Sequence, residues 1–201
     1  MHAAGLSAVL DAANIPAHSI GTVNWKEYPY RPDVKFRIAH DGANILLHYQ
    51  VDEADIQAVC NHDNGNVWED SCVEFFVAFD DERYYNIECN CIGRVLVATG
   101  AGRQHRIPVS SVLLDKIERW SSLGSQPMEN QSGKWELSLI IPKEIFYLNS
   151  LETLNGIQAK GNFYKCGDGL KTPHFLSWNA IGNETPDFHL PRWFGEITFD
   201  K

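Results

Sequence analysis

The sequence predicts an all-β fold, an antiparallel β-sandwich with a short N-terminal helical lead-in. Three observations indicate this fold class. After residue 22 the chain forms about ten short segments rich in aromatic and β-branched residues, turn formers lie between these segments, and the hydrophobic pattern is no longer that of a helix. Many short strands separated by turns are typical of two packed antiparallel sheets.

One short helix precedes the predicted strands. It covers residues 6–13, because Asn14 and Pro16 end the helical pattern. Pro142 could open one further helical turn, since proline is well tolerated at the first helical position. The predicted strands cover residues 34–40, 45–51, 72–79, 84–92, 95–99, 117–123, 135–141, 157–162, 174–178 and 196–199.

Alternation along the strands predicts which side chains are buried, because successive side chains point to opposite faces. Trp25, Trp120 and Trp135 lie among apolar residues and are also expected in the core. The inward-facing strand residues are predicted to be Val73, Phe75, Val77, Ile87 and Leu139 or Ile141.

Length and charge limit the classes of function. The chain has 201 residues without repeats or linker composition, so we expect a lead-in at 1–23 and one domain at 24–201. Its formal charge of -9 would repel nucleic-acid phosphates and anionic lipids. No apolar run approaches the roughly 20 residues of a spanning helix. Neither nucleic-acid binding nor membrane insertion is expected, and the oligomeric state is not indicated.

The cysteines predict free thiols. Five cannot all pair within one chain, and none shows CxxC spacing. We expect Cys72, Cys89 and Cys91 to be buried and unpaired, because they lie among apolar strand residues. Free thiols, and a start that lacks the regions of a signal peptide, favour a cytoplasmic location.

The segment 84–92 carries the most informative polar pattern. Alternation places Asn86, Glu88 and Asn90 on one face of the strand. Fixed amide and carboxylate groups of this kind can read the hydroxyl groups of a ligand. The face is either a binding face or an ordinary exposed one, and the pattern leaves both open.

Glu74 lies in a strand that is otherwise apolar. A carboxylate with apolar neighbours is costly unless it is paired, so we expect either a cation or a ligand hydroxyl beside it. Arg94, at the start of the next strand, is the candidate cation. A purely structural ion pair is the alternative.

Trp68 and Trp178 differ from the other tryptophans in their polar surroundings. Trp68 follows the polar run 61–66, and Trp178 ends a short strand beside Ser177 and Asn179. Aromatic rings on loops can stack on the C–H faces of sugars. The two indoles are therefore candidate sugar platforms.

Metal and catalytic motifs are weak. The eight histidines show no metal-ligand spacing, and no cofactor is expected. A structural calcium ion could be held by Asp63, Asn66 and Asp70, although the glutamate that completes a calcium loop is missing. Glycosidases use two carboxyl groups, and Glu74 with Glu88 or Asp70 could supply them, but the spacing selects no pair.

Several strings together resemble the family 9 carbohydrate-binding modules, in a family 9-like branch frequent in gut bacteria. The resemblance covers the chain from about residue 24 to the end. The strings are YRPDV (30–34), DSCVEFF (70–76), YYNIECN (84–90), GNFYKCGD (161–168), HFLSW (174–178) and PDFH (186–189).

The resemblance implies a DOMON-like β-sandwich that holds a sugar between two tryptophans over charged and amide groups. Carried over by position, Trp68 and Trp178 look like the two tryptophans, and Glu74 and Arg94 look like the charged pair. The implied partner is a mono- or oligosaccharide, and the implied location is secreted or periplasmic.

Three functions therefore compete. Non-catalytic carbohydrate binding is the leading interpretation, and a glycoside hydrolase or related enzyme using Glu74 is the second. The third is a haem-binding DOMON-like domain, which would need methionine and histidine ligands. It is disfavoured because the chain has only Met1 and Met128, and Met128 is predicted in a polar loop.

Overall fold

Two antiparallel sheets form the computed structural model, which describes residues 1–201. Every paired strand is antiparallel to its neighbour. The strands are β1 His18–Ser19, β2 Thr22–Val23, β3 Asp33–His40, β4 Asn44–Ala58, β5 Cys72–Ala78, β6 Tyr84–Asn90, β7 Val95–Gly100, β8 Ile107–Pro108, β9 Glu118–Ser121, β10 Met128–Pro142, β11 Gln158–Cys166, β12 Phe175–Ser177 and β13 Gly195–Thr198.

The first sheet has the strand order β1-β3-β4-β10-β9, and the second has the order β2-β12-β11-β5-β6-β7-β8, with β13 also paired to β11. The helical segments are short. They are α1 Leu6–Ala12, α2 Ser111–Leu114 and the 3-10 turns Ala3–Gly5, Val67–Glu69, Lys143–Phe146 and Pro191–Trp193. No helix has both the length and the apolar character needed to cross a bilayer. The predicted all-β sandwich is confirmed.

The main core lies between the two sheets and contains 33 buried residues. All six strand residues predicted to face inward belong to it. Phe163 of the second sheet joins the layers, since its ring stacks on Phe36 of the first sheet at 3.8 Å and on Phe75 at 4.6 Å between centroids. Trp25 and Trp135 are buried as predicted. Trp120 packs beside α1 on a separate small cluster.

The lead-in packs on both sheets. Leu6 and Leu10 of α1 bury their side chains on the outer face of the first sheet against Leu46 and Ile140. Further along, β1 pairs with β3, while β2 pairs with β12 of the other sheet. Residues 18–23 thereby pass from one sheet to the other.

Two strands are much longer than predicted, and in one of them, β4, a buried charge interrupts the apolar pattern. Both β4 and β10 have 15 residues. Glu53 of β4 points into the interior, where its carboxylate lies 2.9 Å from Lys165 Nζ of β11. Trp135 Nε1 donates to the same carboxylate at 2.7 Å, and Lys165 Nζ lies 3.0 Å from His174 Nε2. Glu53, Lys165 and His174 form a fully buried cluster, the interior ion cluster.

The cysteines lie where the sequence predicts. All five are free, and Cys72, Cys89 and Cys91 are buried on or beside β5 and β6. Burial raises the pKa of the Cys72 thiol to about 12, so it keeps its proton near neutral pH.

Candidate functional site

A cavity of about 360 Å³ lies on the outer face of the second sheet. Because side chains alternate, the strands that send Phe75 and Ile87 into the core send Glu74, Asn86 and Glu88 into this cavity. Glu74 and Glu88 are directly opposite each other on β5 and β6. The cavity therefore has a polar floor made of sheet residues.

Trp68 forms one wall and lies on the 3-10 turn Val67–Glu69. Its carbonyl oxygen accepts a hydrogen bond from the backbone N–H of Asp168 at 3.1 Å. The buried Asp70 carboxylate accepts from the backbone N–H groups of Val59 and Cys60 at 2.9 and 3.0 Å. Backbone contacts and a buried carboxylate thus position the indole.

Asn90 supports this wall instead of lining the cavity. Its side-chain amide donates to Asp70 and to the Cys60 carbonyl, both at 2.9 Å, and its oxygen accepts from the backbone N–H of Arg94. It was predicted as a ligand contact, whereas its donors and acceptor hold the loop beneath Trp68. We regard Asn90 as a positioning residue.

Arg106 closes the opposite side and was missed by the sequence reasoning. Its Nε donates to Asn86 Oδ1 at 2.8 Å, and Asn86 Nδ2 donates to Glu88 Oε1 at 2.8 Å. Its Nη2 donates to the carbonyls of Tyr84 and Ala98, and its guanidinium lies 4.2 Å from the centre of the Tyr84 ring. A continuous hydrogen-bonded row therefore runs from the loop after β7 to the cavity floor.

The floor carboxyl groups have raised pKa values because they are buried. For Glu74 the neighbouring Cys166 thiol and Glu88 add to burial, and the pKa lies well above its usual range, so the protonated form is favoured. Burial raises the pKa of Glu88 to about 7, against the opposing effects of Asn86 and Arg106. Burial raises the pKa of Asp168 to about 6, although Arg103 opposes it. The cavity therefore offers neutral carboxyl groups as hydrogen-bond donors beside charged acceptors.

The predicted pair of Glu74 with Arg94 is wrong. Arg94 follows the turn after β6, and its Nη2 donates to the Ser125 carbonyl at 3.3 Å. Glu74 has no ion pair, and its hydrogen bond is the one it accepts from Cys166 Sγ at 3.0 Å. The carboxyl is tolerated in the interior because its neutral form is favoured.

Trp178 does not reach the cavity. Its ring packs against the main core, with centroid distances of 5.7 Å to Phe163 and 6.0 Å to Phe36. Its backbone N–H donates to the Phe163 carbonyl, which turns the residue toward the space between the sheets. Trp68 instead packs on the outer cluster, so the two predicted platforms do not face each other. Phe175 and Phe188 are the other aromatic residues in the cavity wall.

The carboxylates considered for calcium hold other parts of the fold. Asp63 is paired with Arg119 Nη1 at 2.7 and 2.8 Å. Asp70 accepts the three N–H donors described above, and Asn66 Nδ2 donates to Glu69. Protein donors therefore contact both carboxylates.

His189 in the cavity wall makes a testable contribution to stability. Burial, and to a smaller extent Arg106 and Arg103, lower its pKa from 6.5 to about 3, and its Nδ1 lies 2.8 Å from the Tyr84 hydroxyl. Because the folded state favours the neutral ring, its stabilisation is complete above about pH 6.5 and is lost as the pH falls toward 3. As the pH falls from about 6 to about 4.5, we expect the free energy of unfolding to decrease in the wild type by up to about 2 kcal/mol more than in His189→Gln.

Urea unfolding at several pH values measures this difference. His105→Gln is the control, because His105 is exposed and lies outside the cavity lining. Equal slopes for the wild type and His189→Gln would contradict the conclusion that the folded state favours the neutral His189 ring.

Comparisons with known proteins agree with this architecture. The profile of the carbohydrate-binding family 9 matches residues 4–199. A solved structure described as a candidate carbohydrate-binding protein from Bacteroides uniformis is 50% identical, with a TM-score of 0.96, and the match covers 100% of this chain and 93% of that one. The comparison with curated proteins found no significant match.

Two further solved structures share the fold at low identity. They are family 9 carbohydrate-binding modules from Caldicellulosiruptor kristjanssonii, one in complex with glucose and one with cellotriose. Both are 14% identical and cover 94% of this chain, with 85% and 84% of their own chains covered and TM-scores of 0.60 and 0.56. The profile match over almost the whole sequence decides the assignment: the chain belongs to the carbohydrate-binding family 9.

Proposed function

We propose that this chain binds a mono- or oligosaccharide without cleaving it, and that one sugar ring occupies the cavity beside Trp68. The observation that carries the proposal is the combination of an indole wall with a polar floor of Glu74, Asn86 and Glu88. Sugars present apolar C–H faces and hydroxyl edges, which match these two surfaces. The volume of about 360 Å³ is within the usual range for a small-molecule pocket, roughly 300–1,000 Å³.

The proposal uses one tryptophan instead of two. Trp68 supplies the stacking surface, and Phe175 and Phe188 supply further apolar contacts. A protonated Glu74 can donate to a hydroxyl oxygen, while the Asp187 side chain, which also lines the cavity, can accept from a hydroxyl hydrogen. Family membership and the sugar-bound relatives support a saccharide as the ligand.

The arrangement of the carboxyl groups favours binding over hydrolysis. A glycosidase needs two carboxyl groups that flank the scissile bond. Glu74 and Glu88 project from the same face of neighbouring strands, so both reach a ligand from the same side. Asp70, the other suggested partner, is buried in the hydrogen bonds that hold the Trp68 turn.

The haem alternative gains no support from the fold. Met128 is the first residue of β10 in the first sheet, not part of a loop, and it packs against the main core. Neither methionine lines the cavity on the second sheet.

Screening a glycan array, followed by calorimetry and a sugar-release assay, separates the two leading functions. We expect saturable binding of at least one saccharide by the wild type and no release of sugar. Because the neutral form of Glu74 is favoured, Glu74→Gln keeps the charge state and should weaken binding only by the value of a neutral hydrogen bond, about 0.5–1.5 kcal/mol. Sugar release by the wild type that is lost in Glu74→Gln would show that the carboxyl is catalytic.

A further inference from the structure

We propose that Cys72, Glu74 and Cys166 form a binding site for a thiophilic divalent cation of the Zn²⁺ class at the cavity floor. The two sulfur atoms and one carboxyl oxygen all lie within 4.8 Å of one another, and the three residues are buried. The site shares Glu74 and Cys166 with the lining of the cavity in which we place the sugar, but its test does not depend on saccharide binding.

Strand pairing holds the three side chains together. Cys72 and Glu74 are two residues apart on β5 and share its outer face. Cys166 is directly opposite Cys72 on β11. Opposed side chains on antiparallel strands have Cβ atoms about 4.5–5.5 Å apart. Two Zn–S bonds of about 2.3 Å in a tetrahedral site place the sulfur atoms about 3.8 Å apart. Small rotations of the two thiols would bring the sulfur atoms to this distance.

The charge around Glu74 also points to a cation. Its carboxyl is buried, has no ion pair and contacts the Cys166 thiol. Two further acidic side chains lie near Glu74. Glu88 is directly opposite it on β6, and Asp168 is close to Cys166. A divalent cation would neutralise this group of acidic side chains, in the place where Arg94 was expected and is not found.

Ligand chemistry selects the class of ion. Thiolates are soft ligands that favour Zn²⁺ and similar ions over Ca²⁺ and Mg²⁺, which prefer oxygen. On binding, each thiol releases its proton to solvent and forms a metal–sulfur bond, so affinity should fall as the pH falls.

The cavity gives the ion a path and an open position. Glu74 and Cys166 line the cavity, whereas Cys72 lies behind them. Three protein ligands with one open position are typical of zinc sites that take a water molecule or a ligand oxygen. The open position of this site would face the space in which we place the sugar.

Cobalt binding tests the site because Co²⁺ reports thiolate ligation by its absorption. The full chain is kept reduced, and bound metal is first removed with a chelator, which is then removed in turn. The protein is then titrated with Co²⁺ and afterwards with Zn²⁺. We expect one Co²⁺ per chain with an intense thiolate-to-cobalt charge-transfer band, which Zn²⁺ abolishes by displacement. Cys72→Ser should lose most of this band.

Two controls exclude other thiols. Cys89 is buried on β6 and faces the main core, and Cys60 is a partly exposed cysteine in a loop. The variants Cys89→Ser and Cys60→Ser should both keep the band. Absence of the band in the wild type, or its loss only in Cys60→Ser, would overturn the proposal. If Cys72→Ser does not fold, X-ray absorption of the zinc-loaded wild type decides: two sulfur ligands at about 2.3 Å support the site, and a shell of oxygen and nitrogen alone refutes it.

Discussion

Replacing Lys165 with methionine is expected to lower the free energy of unfolding by about 3–5 kcal/mol, the usual cost of breaking a buried ion pair from one side. Lys165 Nζ lies 2.9 Å from Glu53 Oε2, and both side chains are fully buried. The methionine retains most of the volume but leaves the Glu53 carboxylate with the hydrogen bond from Trp135 Nε1 and with His174 Nε2 at 3.8 Å. The variant therefore leaves the negative charge of Glu53 in the interior without a cation beside it.

Urea unfolding of Lys165→Met and Lys160→Met measures this effect under matched conditions. Lys160 is on the same strand, but it is exposed and pairs with the exposed Asp81 at 3.3 Å. Such a surface pair contributes at most about 1 kcal/mol. A further variant, Glu53→Met with Lys165→Met, should be more stable than Lys165→Met alone, because it removes both charges. A loss below about 1 kcal/mol in Lys165→Met would contradict the role given to the interior ion cluster.

Replacing Trp68 with alanine is expected to weaken saccharide binding at least about 30-fold, or about 2 kcal/mol, as for the central aromatic residue of a binding site. The fold should survive the change. The turn that carries Trp68 is held by backbone groups and by Asp70, none of which the substitution removes. The lost affinity would therefore reflect the missing indole surface.

Trp193→Ala is the matched control for Trp68→Ala. Trp193 lies on another loop, is 36% exposed and does not line the cavity. Calorimetry with the best saccharide from the array should find its affinity within about twofold of the wild type. Equal weakening by the two substitutions would show that stacking on Trp68 is not specific.

Alternation was enough to predict the core and the polar side chains that face away from it. The period of two indicates that Phe75 and Ile87 face inward and that Glu74 and Glu88 each face away from the core on their own strands, while the pairing of the strands brings the two carboxyl groups together. Strand faces are local properties of the chain, so a single sequence reveals them. That these polar groups are covered by loops instead of exposed depends on residues far along the chain.

The loop residues of the site could not be found in this way. Arg106 and Asp168 reach the cavity through loops whose paths depend on tertiary contacts. Trp178 was misplaced because its polar neighbours resemble those of a loop, whereas a backbone hydrogen bond to Phe163 turns the indole toward the core. Glu53 and Lys165 lie beyond the predicted ends of β4 and β11, because a buried ion pair looks like exposed charge in a sequence.

A crystal structure of the chain with a bound saccharide tests the central claim most directly. The crystals are soaked with glucose or cellotriose, the sugars in the two sugar-bound relatives, or with the best saccharide from the array. The account predicts one sugar ring in the cavity on the outer face of the second sheet, stacked on Trp68, with hydroxyl groups within hydrogen-bond distance of Glu74 and Glu88. A bound saccharide at any other surface, with this cavity free of sugar, would contradict it.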